Sequence, residues 1–319
     1  MNQEEFVAQH AERWQAFENM LKVGTPASDL SELPRRYREI CHHLALARDR
    51  HYSSALMERL ESLALAGHQA LYGAHEGQGG IRAFLFGGFP ALVRKQWRYV
   101  LVSAALLYLP LAACLVSIQY FPDFAHVIVR SEQLAEIQQM YSPAAKRLGA
   151  QRGAQTDVAM FGFYIYNNVR IDFQCFAGGL LFGVGAIFFL LFNGIFIGTV
   201  AGHLTHVGYV ETFWSFVAGH SAFELTGAVL SGAAGLMLGM ALIAPGRLGR
   251  FASVKSRLPD IMGLVYGAAL LTFLAAFIEA FWSSSRVPPA TVKYIMGGVM
   301  WSLTLAYFAW LGRGARHAA

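Results

Sequence analysis

Residues 99–118 contain no charged side chain, and further apolar stretches run over about 173–202, 212–243, 261–282 and 294–311. Crossing the apolar core of a bilayer takes roughly 20 helical residues, so each stretch is long enough or nearly so. With 55% of its residues hydrophobic and 14% charged, against about 45–50% and about 25% in ordinary domains, the chain is not a purely soluble protein. The 32 glycines follow no collagen triplet. The expected class is an all-α, polytopic helical membrane protein.

The formal net charge of +5 is spread mainly over the connections between apolar stretches, so no nucleic-acid surface is expected. Cys41, Cys114 and Cys175 show no C-x-x-C spacing, which supports neither a disulfide framework nor a zinc ribbon. The polar start Met1-Asn2-Gln3-Glu4-Glu5 lacks the charged lead and apolar core of a signal peptide. The first span is therefore expected to act as its own insertion signal.

Ahead of that span, residues 1–80 predict a cytoplasmic helical domain. Phe6, Trp14, Phe17 and Leu21 recur among polar residues with helical spacing. After the Gly24-Thr25-Pro26 break, Tyr37, Ile40, Leu44 and Ala47 mark a second helix, with Pro34 in its first turn. Leu56, Leu60, Leu63 and Leu71 mark a third, ending near Gly73. His42, His43, His51, His68 and His75 match no metal-ligand spacing and are read as surface residues. Residues 81–98 mix Phe84, Phe86, Phe89 and Trp97 with Arg94, Lys95 and Arg98, the pattern of an interfacial segment at anionic headgroups.

The basic residues before 99–118 place the N-terminus in the cytoplasm and 119–172 outside. That outer loop contains the amphipathic EQLAEIQQMY and the aromatic MFGFYIYNNVRIDF, expected as a cap on the spans. Residues 173–312 form the glycine-rich transmembrane core, and 313–319 a short tail. Five simple crossings would put Arg247, Arg250, Lys255 and Arg257 outside, against the charge rule. The stretches 173–202 and 212–243 are each roughly 45 Å as straight helix, against an apolar core of about 30 Å. A broken or re-entrant central helix would return the basic loop to the cytoplasm and give an even number of crossings.

Gly179/Gly183, Gly194/Gly198, Gly198/Gly202, Gly235/Gly239 and Gly263/Gly267 are small-xxx-small pairs that let helix backbones approach closely. They join helices within one chain or between two, and on that second option a homo-oligomer, with a dimer favoured, is expected among lipids. From residue 175 onward the acids are Glu211, Glu224, Asp260 and Glu279, and Glu224 alone has apolar sequence on both sides. A carboxylate there costs about 2.5–3.5 kcal/mol on insertion scales, so it should be protonated or paired inside the bundle. His220 lies one helical turn earlier. The pair could carry protons, hold a cation or lock two helices together. Asn193 is a second buried polar lock in this reading, and Glu279 either joins the site or reaches the interface. With no H-E-x-x-H and only two adjacent ligands, no metal and no cofactor are assigned.

The runs NNVRIDFQCFAGGLLFGVGAIFFLLFNGIFIGTVAGHL, GHSAFELTGAVLSGAAGLMLG and FIEAFW resemble the membrane core of the stage II sporulation protein M family. The likeness includes Asn167 and Asn168 ahead of Arg170, Asn193-Gly194 within a span, and the His220/Glu224 turn. The front end LPRRYREICHHLALAR is similar to the longer members. Gly219-His220 departs from the His-Gly order common in the family. The resemblance implies a non-enzymatic scaffold of the bacterial cytoplasmic membrane, assembling partners such as a cell-wall hydrolase or another envelope protein for peptidoglycan remodelling. The alternative is a proton- or ion-coupled transporter or channel using His220 and Glu224.

Overall fold

The computed structural model describes residues 2–23, 32–72, 80–145, 148–149 and 157–313, and all regular structure among them is helical. The chain divides into two compact units, residues 1–80 and 81–319. The Gly24–Pro26 break, Gly73, His75 and residues 314–319 lie outside the described residues.

In the first unit, α1 (Gln3–Val23), α2 (Leu33–Asp49) and α3 (Ser54–Tyr72) share one core. Phe6, Trp14 and Phe17 of α1 meet Leu33, Ile40 and Ala47 of α2 and Leu56, Leu60 and Leu63 of α3. Three aromatic rings, each burying about 150–250 Å², supply much of what holds so small a bundle together. One expectation is overturned here: His43 is not a surface residue but is only 4% exposed. Its Nδ1 accepts a 3.1 Å hydrogen bond from Trp14 Nε1, and its ring lies 4.1 Å from that of His10, centroid to centroid. Burial, and after it the neighbouring His10, pushes His43 down to about 4. The ring is therefore neutral near pH 7 and keeps a lone pair for the indole. His42, His51 and His68 are exposed, as expected.

The second unit begins with α4 (Ile81–Ala83), a π-helical turn (Phe84–Gly88) and α5 (Phe89–Lys95). There follow α6 (Trp97–Tyr120), α7 (Phe124–Ile128), α8 (Ser131–Met140), α9 (Asp157–Ala177) and α10 (Val184–His206). Then come α11 (Val210–Ala218), α12 (Ser221–Ile243), α13 (Arg250–Ile278), a second π-helical turn (Glu279–Ser283) and α14 (Ala290–Trp310). Four of these are long and apolar enough to cross a membrane: Trp97–Tyr120, Val184–His206, Ser221–Ile243 and Arg250–Ser283. The aromatic stretch expected as a cap is instead α9, a 21-residue helix packed along α12 and α13.

Both long apolar stretches are interrupted. After α9 the chain tightens into a short 3₁₀ turn, and Phe182 (φ 52°) and Gly183 (φ 81°) take left-handed conformations before α10 starts. After α11 it turns again at Gly219-His220. At nine residues, α11 spans only about 14 Å, less than half of a bilayer core.

Neighbouring residues give the helix directions. Gly194 faces Leu107, Gly198 faces Leu111 and Gly202 faces Leu115, so α6 and α10 run parallel. Gly179 meets Gly235 and Gly183 meets Gly239, so α9 and α12 also run parallel. Gly227 of α12 faces Thr272 of α13, whereas Glu224, earlier in α12, faces the later Glu279, so this pair is antiparallel. Trp301 Nε1 of α14 donates to Ser221 Oγ (3.1 Å), and Arg94 donates to the Phe308 carbonyl (2.7 Å). Asp260 near the start of α13 holds Lys95 and Gln96, both at 2.7 Å. Thus α6, α10 and α13 run one way and α9, α12 and α14 the other. The basic residues 247–257 consequently share an end of the bundle with Arg94 and Lys95. Because α9 runs back along the bundle before α10 begins, the basic stretch returns to the end that carries Arg94 and Lys95.

The glycine seams close inside the chain. At Gly179 and Gly235 the missing side chains let two backbones touch, and a Cβ at either would overlap the other helix. The same holds for Gly194 and Gly198 against α6, for Gly239 against Gly183, and for Gly267 against the Phe89 ring. Gly298, by contrast, has nothing within 4 Å of where its Cβ would lie. Gly179→Ala should therefore cost on the order of 1–3 kcal/mol through overpacking, while Gly298→Ala should be neutral or stabilising by up to about 1 kcal/mol. Thermal unfolding of both variants in the same detergent checks this, and equal melting temperatures would contradict the seam.

Candidate functional site

The polar centre of the bundle forms where its helices are irregular. Gly219-His220 breaks the chain between α11 and α12, and Glu224 sits in the first turn of α12, where the positive end of a helix favours a carboxylate. Across from it, α13 passes into the π-helical turn that carries Glu279 and Ser283. Turns of this kind recur at functional sites because they shift the side-chain register locally. His220, Glu224 and Glu279 each offer one ligating atom, and these atoms lie within 4.8 Å of one another.

The imidazole is held from both sides. Its Nδ1 lies 2.9 Å from Ser283 Oγ and its Nε2 lies 3.5 Å from Glu224 Oε2. Phe216 packs edge-on against the ring at 5.1 Å. Gly219 keeps this arrangement open, because a Cβ there would come within 2.9 Å of Ser283 Oγ. On the opposite side Asn168 Nδ2 of α9 donates to Glu279 Oε2 at 3.4 Å, and Asn167 Nδ2 donates to Asn168 Oδ1 at 3.1 Å. Glu279 is 8% exposed, which settles its alternatives: it belongs to the site and not to the interface.

Other expected members lie elsewhere. Asn193 is buried, and its amide donates 2.7 Å back to the Phe189 carbonyl of its own helix, so this bond joins no pair of helices. Arg170 is exposed on the face of α9 opposite Asn168. The seam glycines 179, 183, 194, 198, 202, 235 and 239 pack helices and contribute no group to the cluster.

Three participants carry no obvious mark in the sequence. Asp172, buried one turn beyond Asn168, accepts a hydrogen bond from Thr272 Oγ1. Asn168, Asp172, Cys175 and Gly179 share one helical face by their spacing, the signal that would have found it. Lys293 is 2% exposed, and its ammonium donates to the carbonyls of Ser283 (2.8 Å) and Ser285 (2.6 Å). It thereby satisfies acceptors left free where the helix ends. Tyr141 belongs to the segment 121–145, which covers this end of the bundle. Burial first, then the charges of Glu279, Tyr164 and Glu224, hold its phenol well above the ordinary range, so it stays neutral.

The covering segment is tied down by its own hydrogen bonds. Arg286 Nη1 donates to the carbonyls of Pro143 (2.6 Å) and Ala145 (2.7 Å), Thr212 Oγ1 donates to Tyr141 (2.6 Å), and Gln138 meets His203 at 2.8 Å. Replacing Lys293 by Met should take the donor from the buried Ser283 carbonyl and the half-buried Ser285 carbonyl and lower stability by about 2–3 kcal/mol. Arg170→Ala, on an exposed face, should stay within about 0.5 kcal/mol. Calorimetric or fluorimetric unfolding in detergent separates the two outcomes.

Residues 96–284 match the family described as Stage II sporulation protein M, and residues 4–73 match a domain family of unknown function. An uncharacterized protein of Methanocaldococcus jannaschii is 23% identical over 144 residues, which cover 43% of this chain and 75% of that protein. No solved structure matches. His220, Glu224, Glu279, Ser283, Asn168 and Asp172 all fall inside the first match, which takes in more than half of the chain. With its membrane helices and its polar centre inside that region, the chain belongs to the stage II sporulation protein M family.

Proposed function

We propose that this protein is a non-enzymatic scaffold of the bacterial cytoplasmic membrane, which holds a helical docking unit on the cytoplasmic side and assembles envelope partners, a cell-wall hydrolase among them. The observation that carries this reading is the division into two compact units, each with its own core. The smaller unit also has an open groove of about 500 Å³, lined by Glu12, Arg13, Trp14, Arg35, Arg36 and Glu39 among others. A membrane bundle joined to a self-contained unit with a mixed-charge groove suits tethering, because the groove can select a partner while the bundle fixes its place.

The polar centre suits a hydrolase poorly. Ser283, His220 and Glu224 form a serine–histidine–acid chain, but the serine meets Nδ1 and the acid Nε2, the reverse of the usual order. Ser283 is also fully buried, away from any substrate carbonyl. A second reading, a proton- or ion-coupled pathway, draws support from one observation: Asp172 and Glu279 are buried carboxylates and Glu224 stands half-buried beside Glu279, and such groups commonly mark ion routes.

The orientation is tested by labelling. Phe251 is 84% exposed at the basic end of the bundle and Val287 is 90% exposed at the covered end. Ser253, although in the same basic stretch, is buried and unsuited to the purpose. Phe251→Cys should react with a membrane-impermeant maleimide only after the cytoplasmic face is opened, and Val287→Cys should react in intact cells. The reverse pattern, or labelling of both from one side, contradicts the proposed topology.

The scaffold role is tested by cross-linking in living cells followed by mass spectrometry of the tagged chain. A stoichiometric envelope protein should be recovered, and the paired change Arg35→Glu with Arg36→Glu should reduce its yield at least tenfold. Recovery of the chain alone under several growth conditions would remove the scaffold reading and favour the ion pathway.

A further inference from the structure

We propose that His220, Glu224 and Glu279 bind one divalent transition-metal ion of the zinc, manganese or iron(II) class, pinning the corner between α11 and α12 to the π-helical end of α13. The donor set is one imidazole nitrogen and two carboxylate oxygens, a mixture that suits these ions better than the all-oxygen shells of calcium or magnesium. Metal–ligand distances of about 2.0–2.2 Å place ligand atoms roughly 3–3.5 Å apart. His220 Nε2 and Glu224 Oε2 already stand at 3.5 Å, and the full set lies within 4.8 Å. Closure thus asks for little over an ångström of movement from Glu279, a side chain with three rotatable bonds.

The surroundings point the same way. A histidine that ligates a metal is usually steered by a hydrogen bond at its other nitrogen, and Ser283 Oγ occupies that place at 2.9 Å from Nδ1. Asn168 steers Glu279 in the same manner. The charge balance supplies an independent argument. Among the described residues neither Glu224 nor Glu279 pairs with a lysine or arginine, although Glu279 is buried and the half-buried Glu224 offers a second, like-charged carboxylate within 4.8 Å. The nearby ammonium of Lys293 is committed to the carbonyls of Ser283 and Ser285 and is not aimed at the acids. A doubly charged cation neutralises both carboxylates and uses the lone pair that His220 presents to them. This inference stands independently of the scaffold reading, since a metal pin serves a tether or a pathway equally well.

The test uses the full chain, purified in mild detergent through a tag without histidine, stripped with chelator and dialysed against zinc, manganese or iron(II) under reducing conditions. Elemental analysis should find close to one ion per chain, and saturating metal should raise the melting temperature by about 5 °C or more. Glu279→Gln and His220→Gln should each lower metal content at least tenfold, while Arg170→Ala should retain it. Cobalt(II) added to the unaltered chain gives a check that no variant's folding can confound: ligand-field absorption bands of a low-coordinate nitrogen–oxygen site should appear. Absence of those bands, no retained metal with an unchanged melting temperature, or equal retention by both variants would each overturn the proposal in favour of a proton shared between the two acids.

Discussion

Close backbone contact between helices is the constraint on which the bundle depends. Lipid tails are as apolar as leucine, so burying leucine between helices gains little in a bilayer, and tight van der Waals contact has to supply the association. The chain meets this need along two parallel seams. One sets Gly194, Gly198 and Gly202 against α6; the other sets Gly179 and Gly183 against Gly235 and Gly239. Parallel neighbours are never joined by a short hairpin, so the connection must cross and return. That requirement explains why α9 intervenes between α6 and α10, and why α10 intervenes between α9 and α12. Since these seams are filled by the same chain, small-xxx-small spacing here reports the fold of one molecule and gives no support to a dimer.

The seams also place the polar centre. When α9 and α12 are brought into register at Gly179 and Gly235, Asp172 falls beside Gly227, and Asn168 one turn earlier reaches Glu279. The groups therefore meet because the glycines set the register, and a bulkier seam would separate them. In return, the buried polar groups specify one pairing of helices in a setting where apolar faces discriminate poorly. Such specificity is the best-attested role of buried polar groups, whose net contribution to stability is small or negative.

Much of this was legible in the residues themselves. The periodic Phe6, Trp14, Phe17, Ile40 and Leu60 mark helices that do share a core, and the uncharged run at 99–118 lies within a helix long enough to cross a membrane. His220 and Glu224 stand out because a histidine and an acid one turn apart are costly inside apolar sequence. The remainder depends on tertiary geometry. Asp172 was hidden by Arg170: two residues apart reads as a polar loop until helical phase puts the acid inside and the cation outside. His43 is buried by Trp14, 29 residues away, and no local pattern announces such a pair. Lys293 lies near the start of its helix, where lysines normally reach water, yet here the free carbonyls of Ser283 and Ser285 draw it inward.

The location of the cluster along the bundle bears on both functional readings. His220, Glu224 and Glu279 sit near the end that the segment 121–145 covers, while the basic residues crowd the other end. A route for ions needs polar groups spread through the thickness of the bundle, and below the cluster the carboxylates end at Asp172, beyond which the Gly179–Gly235 seam brings two backbones into contact. Charge placed at one end and sealed at the other acts more readily on the cover above it. Through Ser283 the cluster is linked by Lys293 to Ser285, and Arg286, the next residue, holds the cover at Pro143 and Ala145. Charge neutralised at the cluster would thereby steady the covering segment at that end of the bundle.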